Sequence, residues 1–206
     1  MSLLYPRLKL THLPLMMRLG VQGAIVAGVY GIVHDQITYT ISPEYFTEFK
    51  AEQFRYMDFG WPERVYAGQI GFMATWWVGF IAGWFLARLT VPHVRREEAV
   101  RCCWQGFGML FGVVVLAGMA GAGVGWWETR QGTDPSTGSW MDFARSYGVR
   151  DVPGFIRAAC IHNGSYLGAL LGLTGACFYT RRRVRSFGDA ATAPFTPVTT
   201  SEKRTI

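Results

Sequence analysis

The sequence predicts an all-α integral membrane protein: a four-helix bundle with a short interfacial helix between its first two spans. Two observations carry this. Four long apolar runs, at 13–33, 65–89, 104–127 and 155–180, each hold at their core the roughly 20 apolar residues that cross a bilayer. Arginine clusters separate the runs and fall on alternate sides of them, the pattern of juxtamembrane charge that sets orientation. A chain of 206 residues holds one such bundle, over 1–185. The remainder, 186–206, is rich in Thr, Ala and Pro and is expected to be a mobile cytoplasmic tail.

Orientation follows from the same charges. The N-terminal segment carries Arg7, Lys9 and Arg18, and the second connection carries Arg88, Arg95, Arg96 and Arg101. The tail adds Arg181, Arg182, Arg183, Arg185, Lys203 and Arg204. All three are expected on the cytoplasmic side. The first connection is acidic on balance, with Asp35, Glu44, Glu48, Glu52, Asp58 and Glu63 against Lys50, Arg55 and Arg64. In the third, Arg130, Arg145, Arg150 and Arg157 are balanced by Glu128, Asp134, Asp142 and Asp151, and an even number of spans places it outside. Both termini are therefore expected in the cytoplasm, with Tyr45 and Trp140 outside.

The first run carries small residues at Gly20, Gly23, Ala24, Ala27, Gly28 and Gly31. The second has Gly79 and Gly83, the third Gly118, Gly121, Ala122 and Gly125, and the fourth Gly164, Gly168, Gly172 and Ala176. Small residues four apart let helix backbones approach closely where lipid supplies no hydrophobic drive. They fit packing inside the chain, or docking against another membrane protein. In the first connection, Ser42-Pro43-Glu44 reads as a helix start: a serine cap, proline at the first helical position and an acid in the first turn. Tyr45, Phe46, Phe49, Phe54 and Tyr56, mixed with charges, suit a helix lying in the membrane interface. Gly60 and Pro62 punctuate the entry to the second span. In the third connection Gly132, Asp134-Pro135 and Gly138 mark turns, 139–147 suits a short helix, and Asp151-Val152-Pro153 suits the start of the last span.

Several classes are excluded. The net charge is +6, but the cations sit at helix ends and form no separate recognition element for nucleic acid. Around Ala24, Thr75, Val115 and Leu170, near the bilayer midplane, the sequence has no ionisable side chain of the kind an ion or proton pathway leaves. Inverted repeats, expected of a secondary transporter, are not visible. Trp76, Trp77 and Trp84 read as packing or lipid contact; Trp61, Trp104, Trp126 and Trp127 suit interfacial belts. The first run is longer than the apolar stretch of a cleavable signal peptide and lacks a small-x-small cleavage site. Cys102, Cys103, Cys160 and Cys177 are expected as reduced thiols.

The polar residues near the outer end are the candidate site. From Arg18 to His34 the chain advances 16 residues, about 24 Å of helix, and from Arg181 back to His162 it advances 19, about 28 Å. Gln69 lies the same 19 residues from Arg88. His34, Gln69 and His162 thus share a depth, with Asp35 and Glu44 close to His34 in sequence and Glu128 somewhat higher, at the outer end of the third run. Two readings compete. One is a hydrogen-bond network tying the helix ends to the 42–56 segment. The other is a divalent metal site, His34 and His162 with Asp35, Glu44 or Glu128, a donor set that suits Zn, Fe or Mn. A third, haem between His34 and His162, requires the two rings to straddle one plane. The sequence has no HExxH, paired CxxC or ExxH repeat.

The string from His34 to Thr47, HDQITYTISPEYFT, resembles a signature of a group of uncharacterised bacterial four-helix membrane proteins. Ala74-Thr75-Trp76-Trp77-Val78-Gly79 and His162-Asn163-Gly164-Ser165-Tyr166-Leu167-Gly168 are similar to other marks of that group. The resemblance implies a bacterial inner membrane and a role carried by these polar motifs; it implies no activity. The function expected is that of a small structural or accessory membrane protein. The rival is a metal-dependent, or haem-binding, membrane enzyme or redox protein.

Overall fold

A computed structural model describes the backbone of residues 8–130 and 139–192, and the side chains of 8–130 and 141–187. The described chain is all-α, with no strand among the described residues. Its helices are α1 (Leu13–Ile41), α2 (Ala51–Gln53), α3 (Glu63–Thr90), α4 (Arg96–Arg130), α5 (Ser139–Ser146) and α6 (Val152–Thr192). Three are long and apolar enough to cross a membrane: α1 with its leading turn, Leu10–Ile41, together with α3 and α4. The fourth expected run is less apolar than these three. The fourth run forms α6, which at 41 residues is long enough but falls short in hydropathy. The string His162-Asn163-Gly164-Ser165-Tyr166 dilutes it.

The helix boundaries have local causes. Pro14 lies in the first turn of α1, where its missing N–H costs nothing. Ser42 ends α1 in an extended conformation, φ −149° and ψ 97°, as the residue before a proline prefers. Its hydroxyl accepts from the Tyr45 N–H at 3.3 Å, so the serine cap is present. Gly60 has a φ of +71°, a left-handed conformation that favours glycine, just before Pro62 opens α3. Glu98, in the first turn of α4, accepts from the Arg95 N–H at 3.3 Å. The short helix expected near 139–147 is α5, and Gly148 at φ +75° turns the chain toward α6. Gly132, Asp134-Pro135 and Gly138 lie outside the described residues. α6 continues past Arg185 to Thr192, and 193–206 also lies outside them.

The four long helices pack as two close pairs, α1 with α3 and α4 with α6; the pairs meet each other sparsely. Glycine permits the closeness. A Cβ at Gly31 would collide with the Gly71 carbonyl, and one at Gly71 with the Gly31 carbonyl; Gly23 and Gly79 repeat the arrangement two turns further on. In the second pair Gly121 lies on the Cys160 carbonyl and Gly164 on that of Ala117. The Thr75 hydroxyl reinforces the first pair by donating across it to the Ala27 carbonyl at 2.7 Å. The small residues singled out in the sequence thus serve, at these positions, packing within the chain.

Two apolar cores close the ends. One holds Met16, Leu19, Leu86, Cys103, Phe107 and Ala176. The other holds Tyr39, Tyr45, Phe46, Tyr66, Ile70 and Phe155. The long helices keep large apolar side chains on their outer faces, among them Ile25, Val29, Leu116, Met119, Leu170 and Leu171, as a lipid-facing surface does. The four cysteines are free thiols.

Candidate functional site

The segment expected to lie on the interface instead folds into the bundle. After the Ser42 cap, Tyr45–Lys50 forms a π-helical turn that leads into α2. A π turn carries one residue more than an α turn and rotates the chain beyond it. Here Tyr45, Phe46 and Lys50 are buried, with Phe46 only 1% exposed. Tyr45 packs on Phe155 and stacks on His162, with ring centroids 4.7 Å apart and planes 22° from parallel. Two side chains of α3 hold the segment down: the Tyr66 hydroxyl donates to the Phe54 carbonyl at 2.9 Å, and the Gln69 amide to that of Met57 at 3.2 Å.

Beneath this plug His34, Asp35 and His162 meet. The two imidazoles lie edge to face, centroids 4.6 Å apart. The contacts are His34 Nδ1 to Asp35 Oδ1, 3.1 Å; His34 Nε2 to Ser165 Oγ, 3.2 Å; His162 Nε2 to Thr38 Oγ1, 3.2 Å; and His162 Nε2 to Asp35 Oδ1, 3.8 Å. Tyr30 donates to Ser165 Oγ at 3.4 Å, and Thr38 donates to the His34 carbonyl at 3.0 Å.

One assignment of protons satisfies the whole set. Thr38 spends its hydroxyl proton on the His34 carbonyl, so it accepts from His162 Nε2–H. Ser165 accepts from Tyr30 and donates to His34 Nε2, which leaves the His34 Nδ1–H to bond the Asp35 carboxylate. Both histidines are then neutral, and each polar atom named has a partner, as burial requires. Asp35 and His162 are each 4% exposed.

The sequence-predicted residues divide. His34, Asp35 and His162 come together, and one ligand atom from each lies within 4.8 Å of the others. Glu44 lies elsewhere: its carboxylate accepts from the Arg150 and Asp151 N–H groups, at 2.9 and 2.7 Å, just ahead of α6. Asp151 in turn accepts from Gly154 N–H at 3.0 Å. Glu44 is thus part of the α6 cap. Glu128 lies on α4 with Cys160 Sγ 3.9 Å from its carboxylate, and it is not a member of the group formed by His34, Asp35 and His162. Gln69 shares the depth but turns to Met57. The haem reading is corrected: rings 4.6 Å apart and edge to face leave no slot between them for a macrocycle.

Thr38, Ser165, Tyr30 and Lys50 complete the site and were not singled out from sequence. Spacing held a signal for two of them. Thr38 is four residues from His34, and Ser165 three from His162, so each shares a helix face with its histidine. Burial lowers the Lys50 pKa, opposed in part by Asp35, and burial raises that of Tyr45.

The cap role of Glu44 has a measurable consequence. Glu44→Ala is expected to lower stability by about 1–2 kcal/mol, the usual cost of a lost cap. Thermal unfolding in detergent checks this; a Glu44→Ala protein as stable as wild type would remove the assignment.

Comparison with known proteins adds no relative: no family model, no curated protein and no solved structure matches the chain.

Proposed function

We propose that this chain is a small, non-enzymatic membrane protein of four spans, a structural or accessory component of a bacterial inner membrane. In this reading the histidine cluster is a latch that fastens the α1–α3 pair to the α4–α6 pair at their outer ends. The observation that carries it is where the bonds run. Tyr30, His34 and Thr38 belong to α1, while Ser165 and His162 belong to α6, and the bonds between them join helices that otherwise touch little. In a bilayer such bonds substitute for hydrophobic association.

The reading takes α6 as the fourth span. Two of its polar residues, His162 and Ser165, are buried against α1, while Leu167, Leu170, Leu171 and Phe178 face out. A helix of that kind inserts with its polar face against protein. α4 supports an accessory role. Only 17% of its most apolar stretch is buried, against 33% for the first span and 39% for α3, so most of it is free to meet lipid or a neighbour.

With four spans and arginine-rich inner flanks, both termini lie in the cytoplasm. Single cysteines at Phe59 and Trp140, in a chain stripped of its own four, are expected to react with an impermeant maleimide added to intact cells. One at Ser186 should react only after lysis. Labelling of Trp140→Cys from the cytoplasmic side would remove the four-span reading.

A second reading has its own support. The three ligand atoms of His34, Asp35 and His162, within 4.8 Å of each other, need modest closure to share a divalent ion with bonds of about 2 Å. Zn, Fe or Mn fits that donor set. Binding would break the bonds to Ser165 or Thr38 that the latch uses.

A further inference from the structure

Between the two cores lies a cavity of about 800 Å³ that all four long helices line. It falls within the roughly 300–1,000 Å³ range of ligand pockets. Its polar residues gather at one end: His34, Asp35, Lys50, His162 and Ser165. The rest of the wall is mostly apolar, and includes Met73, Trp76, Leu110, Phe111 and Leu173, with the Thr75 hydroxyl bonded to the Ala27 carbonyl. From His34 to Gly23 on α1 is 11 residues, and from His162 to Leu173 on α6 is also 11, so the apolar part runs about 16 Å along the helices. Trp76, Trp77 and Leu170 line it yet remain 38%, 50% and 65% exposed, which opens it toward the lipid side.

Lys50 is the unusual member. It is 9% exposed and lies in the roof of this cavity. Its Nζ donates to Gln53 Oε1 at 3.0 Å and lies 5.2 Å from the centre of the Phe49 ring. Among the described residues no carboxylate lies within 4.0 Å of it. Asp35 faces the same cavity, but its close partners are the two histidines. Gln53, the faces of Tyr45, Phe49 and Tyr166 and the more distant Asp35 offset part of the cost of burying this ammonium, and an anion in direct contact with it offsets more.

We propose that this cavity binds a single-chain anionic amphiphile from the membrane, its head group on Lys50 and its chain laid along the apolar wall. The shared chemistry is one acidic head, carboxylate or phosphate, on one long hydrocarbon chain. The shape sets the chain, and Lys50, which has no carboxylate within 4.0 Å among the described residues, sets the charge. This inference stands apart from the latch, which uses α1–α6 bonds that Lys50 does not make.

Photolabelling tests it. The full chain in detergent is exposed to a diazirine analogue of palmitic acid and irradiated, and the adducts are mapped by mass spectrometry. Labelling is expected to saturate and to fall on cavity residues such as Trp76, Phe111 and Leu173. Unlabelled palmitate or lysophosphatidylglycerol should compete, whichever is stronger naming the head group, and hexadecanol should compete at least tenfold less. Lys50→Met should cut labelling about tenfold, and Lys50→Arg should keep it. Equal competition by hexadecanol would overturn the proposal, as would adducts confined to outward residues such as Leu116 and Met119. A short-chain ubiquinone displacing the probe better than palmitate would overturn it in favour of a neutral ring head. If Lys50→Met fails to fold, the competition series on the wild-type chain and the Lys50→Arg result still decide.

Discussion

A Gly71→Val chain is expected to lose its fold in detergent, with a cost of about 3 kcal/mol or more, at the upper end of what overpacking produces. The new side chain would meet the Gly31 carbonyl and, 2.9 Å from its Cβ, the Asp35 carboxylate. The first is backbone, which gives way only if α1 and α3 part. The second belongs to the latch. One substitution therefore attacks the helix pair and the bond network together. Gly123→Val is the matched control. A Cβ there meets nothing within 4 Å, and a surface substitution of that kind costs about 0.5 kcal/mol or less. Thermal unfolding followed by gel filtration reads both. Equal stability of the two variants would mean that α1 and α3 do not approach at Gly71.

The sequence made depth legible and direction much less so. Counting along the helices from the arginines placed His34 and His162 at one level, and their rings lie 4.6 Å apart. The same count placed Gln69 there, yet its amide turns to the Met57 carbonyl. A rise per residue gives height; which way a helix faces depends on its partner. The glycines behave alike. Gly164, Gly168 and Gly172 announced a close approach, and all three meet α4. Nothing in a small residue says which helix will lie against it, so the pairing of α1 with α3 and of α4 with α6 was not readable.

Glu44 shows how sequence proximity misleads. It is ten residues from His34, but the extended Ser42 reverses the chain and carries its carboxylate to the start of α6. Lys50 shows the opposite error. By composition it is one more charge in a polar connection. The π turn after Tyr45, with its extra residue, swings it into the bundle roof. The fourth long helix, α6, was legible as a length of chain. Two of the polar groups that dilute its hydropathy, His162 and Ser165, are those that bond to α1.

The second large effect concerns Asp35. Asp35→Ala would leave the His34 Nδ1–H without its acceptor, and an unsatisfied buried group costs about 1–3 kcal/mol. His34→Gln and His162→Gln keep part of the hydrogen-bonding capacity, and each should lose only about 0.6–1.7 kcal/mol, the range for interhelical bonds in membranes. Both should fold and stay monodisperse. If the cluster were a metal centre, all three changes would instead strip the ion. Elemental analysis of the purified wild-type protein beside His34→Gln and His162→Gln separates the two accounts. The latch predicts zinc, iron and manganese well below one per chain in all three proteins, with no difference between them. One equivalent of any of these metals in the wild type, lost from both histidine variants, would contradict it.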